Sequence, residues 1–424
     1  MKGPFHISAE SPWSVRDFRI AASARTLSFV GDGVALTTLT LVMHDLGHGP
    51  SSVALLLIAA ALPTVLLAPV AGRVADEVDS RKILTIATLI SAAAAFSMAM
   101  ASSAWTLLGL VVALQAAQAF ADPSWAALTP RIVGEERTGR TIGSMQMLLT
   151  MALVAGPALA GLIVGVADAR IAFLVDGSTF LVLAGAALAI RTRRSPVHTS
   201  DESDTESPSQ WLVGLHVLRS DAILGPLVFM LVVFVLGGES ANVIEVFLIR
   251  DSLQGSSVAY GLAGALGGAG MFVGVWIAAR WRQESTQVRG VVGSALTMAV
   301  LMIAAGLSPS LAIALIAFAV SGVANGALNV SFATLMILRT PDRRRGRVVA
   351  VVSGLTRACA IIGPALGGAV GGLAGPRTMF VSIGLVVLTF TGLAAIPVLR
   401  ARVTDRMCAE DRSERPADVL VDEA

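Results

Sequence analysis

Hydrophobic and polar positions alternate along this chain in long blocks. Val53 to Val70 contains no charged residue and neither does Ile83 to Trp105, yet between them lies the charged cluster Gly72-Arg-Val-Ala-Asp76-Glu-Val-Asp79-Ser-Arg81-Lys82. A bilayer core about 30 Å thick takes about 20 apolar residues of helix, and helix satisfies the backbone groups within the segment. The blocks predict spans at Ile20–Met43, Val53–Val74, Ile83–Met100, Trp105–Ala121, Ile142–Val166 and Ile171–Ile190. A second set is predicted at Ile223–Leu248, Val258–Ala279, Val291–Leu307, Leu311–Leu335, Val348–Leu373 and Met379–Val398. The expected fold class is an all-α integral membrane protein of about 12 transmembrane helices in two six-helix bundles.

Between the sets the character changes. Arg191 to Gln210 carries Arg191, Arg193, Arg194, Asp201, Glu202, Asp204 and Glu206 among Ser, Thr and Pro, the composition of a disordered linker. Trp211, Leu212, Leu215 and Leu218 then recur at helical spacing, which predicts a short helix on the membrane surface. The expected domains are a first half at 1–190, a linker with interfacial helix at 191–221, a second half at 222–399, and a disordered cytoplasmic tail at 400–424.

Composition agrees: of 424 residues, 55% are hydrophobic and 14% charged, against roughly a quarter charged in globular domains. Two cysteines, Cys359 and Cys408, are too few for a disulfide framework or metal site. The five histidines are scattered, no Gly-x-x-x-x-Gly-Lys-Ser/Thr loop is present, and Met1 to Arg19 lacks an apolar signal core. These features argue against an enzyme, an ATP-driven pump and a cofactor or metal protein. A sensor or scaffold is the different-class alternative, disfavoured because no polar stretch is long enough for a folded soluble domain. Lysine is confined to Lys2 and Lys82, so arginine carries the orientation signal. Arg16, Arg19, Arg81, Lys82, Arg131, Arg137, Arg140, Arg191 to Arg194, Arg280, Arg282, Arg289 and Arg339 to Arg347 fall on one side. Only Arg170, Arg250 and Arg377 fall on the other, so the expected location is a bacterial inner membrane with both termini cytoplasmic.

A shift of 207 residues superposes the halves. Gly156-Pro157-Ala158-Leu159 becomes Gly363-Pro364-Ala365-Leu366, and the same shift takes Gly139-Arg140 to Gly346-Arg347, Arg170 to Arg377, Gln118 to Asn325 and Asp32 to Glu239. Transporters built from such repeats bind substrate near the midplane between them.

The 72–82 cluster resembles the loop between helices two and three of the major facilitator superfamily. Ala155-Gly156-Pro157 with Gly161 resembles the fifth-helix motif of its drug:proton antiporters. Gly31-Asp32-Gly33, Pro123 and Pro130-Arg131 resemble its bacterial efflux group of siderophore, macrolide and multidrug exporters. The resemblance, spanning Ile20 to Val398, implies proton-coupled efflux of small amphipathic compounds by rocking of the two halves. Siderophore or lysolipid export, or uptake, are its alternatives. The implied partners are a small-molecule substrate, protons and the lipid bilayer, with no nucleic acid, and the expected state is a monomer. Asp79 stands where the family pattern has Gly, and Glu77 where it has a basic residue. Gln115 stands three residues before Gln118 where the family has Arg, so that arginine's coupling role does not transfer.

An ionisable side chain inside a span costs at least about 2.5–3.5 kcal/mol on insertion scales, so each needs a reason. Asp32 lies near mid-depth in the first span and Glu239 at the matching depth of the seventh. Both are expected either to line a central cavity or to act as structural acids. Burial disfavours a carboxylate and a nearby cation favours it, so such a group can exchange a proton for a cationic substrate. Arg25 lies about 10 Å along the helix from Asp32, too far for a direct ion pair. It is expected to bias Asp32 across a wet cavity or to snorkel to headgroups, and Arg357 carries the same alternatives. Glu245 is expected nearer the outer mouth than Glu239 and off its stripe, and Asp176 is expected to pair with Arg170. Gln115, Gln118, Asn325 and Asn329 either bind substrate or join helices. The glycines from Gly261 to Gly270 are expected to pack helices closely. Gly156, Pro157, Gly363 and Pro364 are expected at helix bends. Gly72, Asp76, Arg81 and Lys82 form a candidate gating loop, Asp76 facing the helix start at Gly346 to Val349 when the cytoplasmic gate is shut.

Overall fold

The computed structural model describes residues 11–192 and 208–414; most of the 191–210 linker, and the tail beyond 414, lie outside them. Twelve helices among the described residues are long and apolar enough to cross a membrane, and the described residues contain no strand. The first half comprises α1 (Arg16–Asp45), α2 (Pro50–Glu77), α3 (Ser80–Met98), α4 (Ala104–Val133), α5 (Glu135–Val166) and α6 (Ala169–Ala189). A short helix, α7 (Pro208–Ser220), precedes the second half. That half comprises α8 (Leu224–Phe247), which ends in a π turn at Leu248–Ser252, then α9 (Ser257–Ala278), α10 (Glu284–Leu307), α11 (Leu311–Arg339), α12 (Asp342–Ala374) and α13 (Pro376–Glu414).

Polar residues mark several helix starts. Asp79 accepts from the Arg81 backbone at 2.8 Å and caps α3, and Asp168 caps α6 through Arg170 in the same way. The departure from the family pattern at Asp79 therefore has a local use. Several helices outrun their apolar stretches, most on the face where α1 starts, called here the near face. α4 continues from Ala121 through Pro123 and Pro130 to Val133, and α5 starts at Glu135 rather than Ile142. Hydropathy finds what lies in lipid, whereas helix ends are set by caps and breakers. The same reason corrects the tail: a disordered segment was expected from 400, but α13 stays helical to Glu414, and no Gly or Pro interrupts residues 398–414.

Packing repeats with the sequence. Within the first half α1 packs on α5 and α6, and α4 packs on α2 and α3, as does α6 on α3; the second half shows the equivalent pairs from α8 to α13. The halves meet mainly where α5 packs on α9 and α2 on α12, pairs that the 207-residue shift exchanges. These contacts crowd the far face, opposite the start of α1. A Cβ on Gly161 would stand 2.9 Å from Gly261 Cα, one on Gly264 would stand 2.9 Å from Pro157 Cβ, and one on Gly268 would stand 3.1 Å from the Leu153 carbonyl oxygen. Gly368 packs beside Ser51 and Ala54 in the second pair. On the near face, Gly72, Gly139, Gly143 and Gly346 have nothing within 4 Å of an added Cβ. The halves thus make their close contacts across the far face, while on the near face these glycines have open space and α12 packs on α7 through Gly214.

Inside the first half Gly33 and Gly156 bring α1 and α5 together, an added Cβ on Gly156 lying 2.8 Å from Gly33 Cα. The repeat position 33 + 207 = 240 is serine, and Ser240 Oγ donates to the Gly363 carbonyl at 2.8 Å. We expect Gly156→Leu to cost about 1–3 kcal/mol or more through overpacking. Gly185→Leu, at an exposed site with open space around it, is expected to be neutral or slightly stabilising. Thermal unfolding in detergent distinguishes the two, and equal midpoints would contradict the packing.

Candidate functional site

Each half contains a cavity floored by acids. The first, about 260 Å³, is lined by Asp32 of α1, Thr64 of α2, Gln115, Gln118 and Asp122 of α4 and Asp176 of α6, with apolar neighbours such as Phe29 and Met98. Asp32 is placed by the glycines that flank it. Gly31 faces α6, where an added Cβ would stand 2.7 Å from Asp176 Oδ1, and Gly33 faces α5 at Gly156. No side chain larger than hydrogen fits on either side, so α1 is clamped and the carboxyl between the glycines is aimed at the cavity.

The electrostatics of this cavity differ from the sequence expectation. Arg25 neither snorkels nor acts on Asp32 alone: its Nη2 lies 3.5 Å from Asp122 Oδ1. The guanidinium also stacks 5.2 Å from the Phe29 ring centroid and 5.4 Å from that of Trp125. Asp32 thus sits in the field of one cation and of two further acids, Asp122 and Asp176. Asp122 was missed because Pro123 ended the predicted span at Ala121, although the helix continues. Asp176 does not pair with Arg170. It is 0% exposed, neither of its oxygens has a hydrogen-bond partner among the described residues, and it lines the cavity. A buried polar group without a partner is destabilising, which makes Asp176 a candidate functional residue inside a membrane bundle.

The second cavity, about 300 Å³, is lined by Glu239, Asn242 and Glu245 of α8 and Asn325 and Asn329 of α11, with Phe234, Met298, Met302, Phe318 and Phe380 among its apolar walls. Glu239 and Glu245 were expected on different stripes, yet both face this cavity, which is wide enough to span the angle between them. Asn242 donates to Glu239 at 3.3 Å, and Asn329 donates to Asn325 Oδ1 at 2.6 Å. Tyr260, the single tyrosine, lies beside Glu245 and bonds to Thr40 of α1, so it links the second cavity to the first half.

The remaining candidates fall elsewhere. Gln115 donates to the Ala60 carbonyl of α2 at 3.0 Å, so it joins helices while facing the cavity; Gln118 lines the cavity too. Arg357 is exposed and lines neither of these cavities. Pro157 lies on the seam between the halves against Gly264, and Pro364 lies inside α12 beside Gly363, which packs on Glu239 and Ser240. Arg81 bonds to the Leu188 carbonyl of its own half, while Lys82 and Asp76 are exposed on the near face.

A sequence profile described as the Major Facilitator Superfamily matches residues 21–318 and 290–419. The chain is 25% identical over 380 residues to the uncharacterized MFS-type transporter YfiS of Bacillus subtilis, covering 86% of this chain and 89% of that protein. It is 26% identical over 399 residues to the multidrug efflux pump Tap of Mycobacterium tuberculosis, covering 89% and 92%. Among solved structures, a bacterial homolog of the human lysosomal transporter Spinster, inward-facing and unoccupied, superposes with a TM-score of 0.68 at 15% identity, covering 91% of this chain and 97% of that one. With twelve spans, two repeat-related bundles and a matching profile over nearly its whole length, the chain belongs to the Major Facilitator Superfamily, a family of membrane transporters.

Proposed function

We propose that this transporter is a proton-driven exporter of small amphipathic cations, working by alternating access in a bacterial inner membrane with its termini in the cytoplasm. The observation that carries the reading is the first cavity: three carboxyls, Asp32, Asp122 and Asp176, against the single guanidinium of Arg25, walled by apolar and aromatic side chains. Such a site is net acidic whenever two or more of its carboxyls are ionised, which favours a cation or protons in its place. The apolar walls suit the hydrophobic part of an amphipath. Similarity to an efflux pump along most of both chains supports export. The excess of arginine on the near face supports placing that face in the cytoplasm. A seam closed on the far face and clear on the near one then corresponds to the inward-open state, in which substrate enters from the cytoplasm.

In this cycle Asp32 releases its proton as the cation binds, and takes up another when the halves have rocked and the cation has left. Asp122 holds Arg25 away from Asp32, so the guanidinium tempers the acid without neutralising it. Asp32→Asn is expected to abolish pH-gradient-driven transport in membrane vesicles while the protein remains membrane-inserted. Undiminished gradient-driven transport by that variant would remove Asp32 from the coupling step. For the orientation, a cysteine replacing His48 on the far face is expected to react with an impermeant maleimide in intact cells, and one replacing Gly139 only after permeabilisation. The opposite labelling would invert the assigned topology.

A further inference from the structure

The far-face ends of the halves are joined by a polar knot as well as by the glycine seam. His44 lies in the last turn of α1. Its Nδ1 is 2.9 Å from Asp45 Oδ1, and its Nε2 is 2.8 Å from Oδ1 of Asp251, in the π turn of the other half. Arg250 donates to the same Asp45 oxygen at 3.3 Å and to Ser257 Oγ at 3.4 Å. The Phe247 ring covers the imidazole with centroids 5.1 Å apart. His44 and Asp251 are repeat mates, since 44 + 207 = 251. Their bond therefore joins the halves across the pseudo-two-fold axis, where rocking must separate them.

The bonding pattern fixes a proton count. A neutral imidazole has one N–H and one bare acceptor nitrogen, and a bare nitrogen cannot bond to a carboxylate. Here both nitrogens lie within hydrogen-bond distance of carboxylate oxygens, so the knot is fully bonded only with one added proton. Among the groups bonded to one another here, Asp45 and Asp251 carry two negative charges and Arg250 one positive, so the added proton brings that bonded set to zero. The other ionisable groups nearby are engaged elsewhere or face solvent. Glu245 lies deeper on α8 beside Tyr260, Arg377 donates to the carbonyls of Ser252 and Ser308 and weakly to that of Gly306, and His48 is exposed in the connection after α1.

We propose that His44 is the proton-binding site of a far-face latch, in which a proton held between Asp45 and Asp251 keeps the two halves shut there. Separation of the halves withdraws Asp251, leaves the imidazolium one acceptor short and releases the proton. The closed state then binds that proton more tightly than the open one, so acid favours closure and alkali favours opening, by at most about tenfold per pH unit for one linked proton. The test covers about pH 5 to pH 8, where histidine side chains in general change charge. The latch requires neither that Asp32 be the coupling acid nor that the substrate be a cation.

The test uses the full chain in lipid nanodiscs, with Cys359 and Cys408 replaced. Spin labels go at Met100 and Leu373, both strongly exposed far-face residues of opposite halves. Distance distributions between the labels, recorded across the histidine range, are expected to show the short-distance fraction of the parent protein rising on acidification. That response is expected to be lost in His44→Gln, which has no titratable proton, and in Asp251→Asn, which keeps the imidazole but removes the carboxylate charge facing it from the other half. A pH response in His44→Gln equal to that of the parent overturns the latch, as does a parent distribution that ignores pH. Asp32→Asn measured alongside separates the two readings. A response that disappears in Asp32→Asn and survives in His44→Gln assigns it to the cavity acid and overturns the latch, whereas the converse supports the latch even if Asp32 has no part in coupling.

Discussion

Close backbone contact between the halves along the far face is the constraint on which the remaining geometry rests. Gly161 and Gly165 of α5 meet Ser257, Val258 and Gly261 of α9, and Gly368 and Gly371 of α12 meet the start of α2. Hydrophobic force does not hold such a seam in lipid, because lipid tails are as apolar as the side chains. Close van der Waals fit does, and only residues lacking a side chain permit it. The two contacts are exchanged by the repeat, so the seam has the symmetry of the chain.

The same logic of small residues sets the chemistry. Gly31 and Gly33 let α1 lie tight against α6 and α5, which fixes the depth and direction of Asp32. The second half solves the equivalent contact with a hydroxyl, Ser240 donating to Gly363. This difference leaves the halves unequal: the first cavity holds three acids, one of them ion-paired to Arg25, whereas the second holds two glutamates among asparagines. An uneven pair of cavities suits a machine in which one half carries charge exchange and the other contributes polar contacts to substrate.

The fold was legible because apolar blocks and the 207-residue repeat are properties of the chain itself, and the two main half-to-half contacts, α5 on α9 and α2 on α12, obey that repeat. The cavity lining was legible at polar positions in mid-span, such as Asp32, Gln118, Glu239 and Asn325. Asp122 was hidden by the neighbouring proline, which disfavours helix in water-exposed segments but is tolerated within a membrane bundle. Asp176 looked like half of a local ion pair with Arg170, because spacing along one helix says nothing about the helix packed against it. Glu245 was set apart from Glu239 on the assumption of a narrow stripe, and the width of a cavity is not encoded in helical periodicity. The His44–Asp251 contact was within reach of the repeat, but only for a reader who asked whether repeat mates touch.

The central claim is that transport requires the far-face seam to part. A Cβ placed on Gly165 stands 3.9 Å from Val258 Cβ, within the separation that a disulfide spans. The decisive measurement is substrate efflux from vesicles carrying the Gly165→Cys, Val258→Cys pair in a background lacking Cys359 and Cys408, under oxidising and then reducing conditions. The account predicts efflux lost on oxidation and recovered on reduction. Undiminished efflux with the cross-link formed would contradict it.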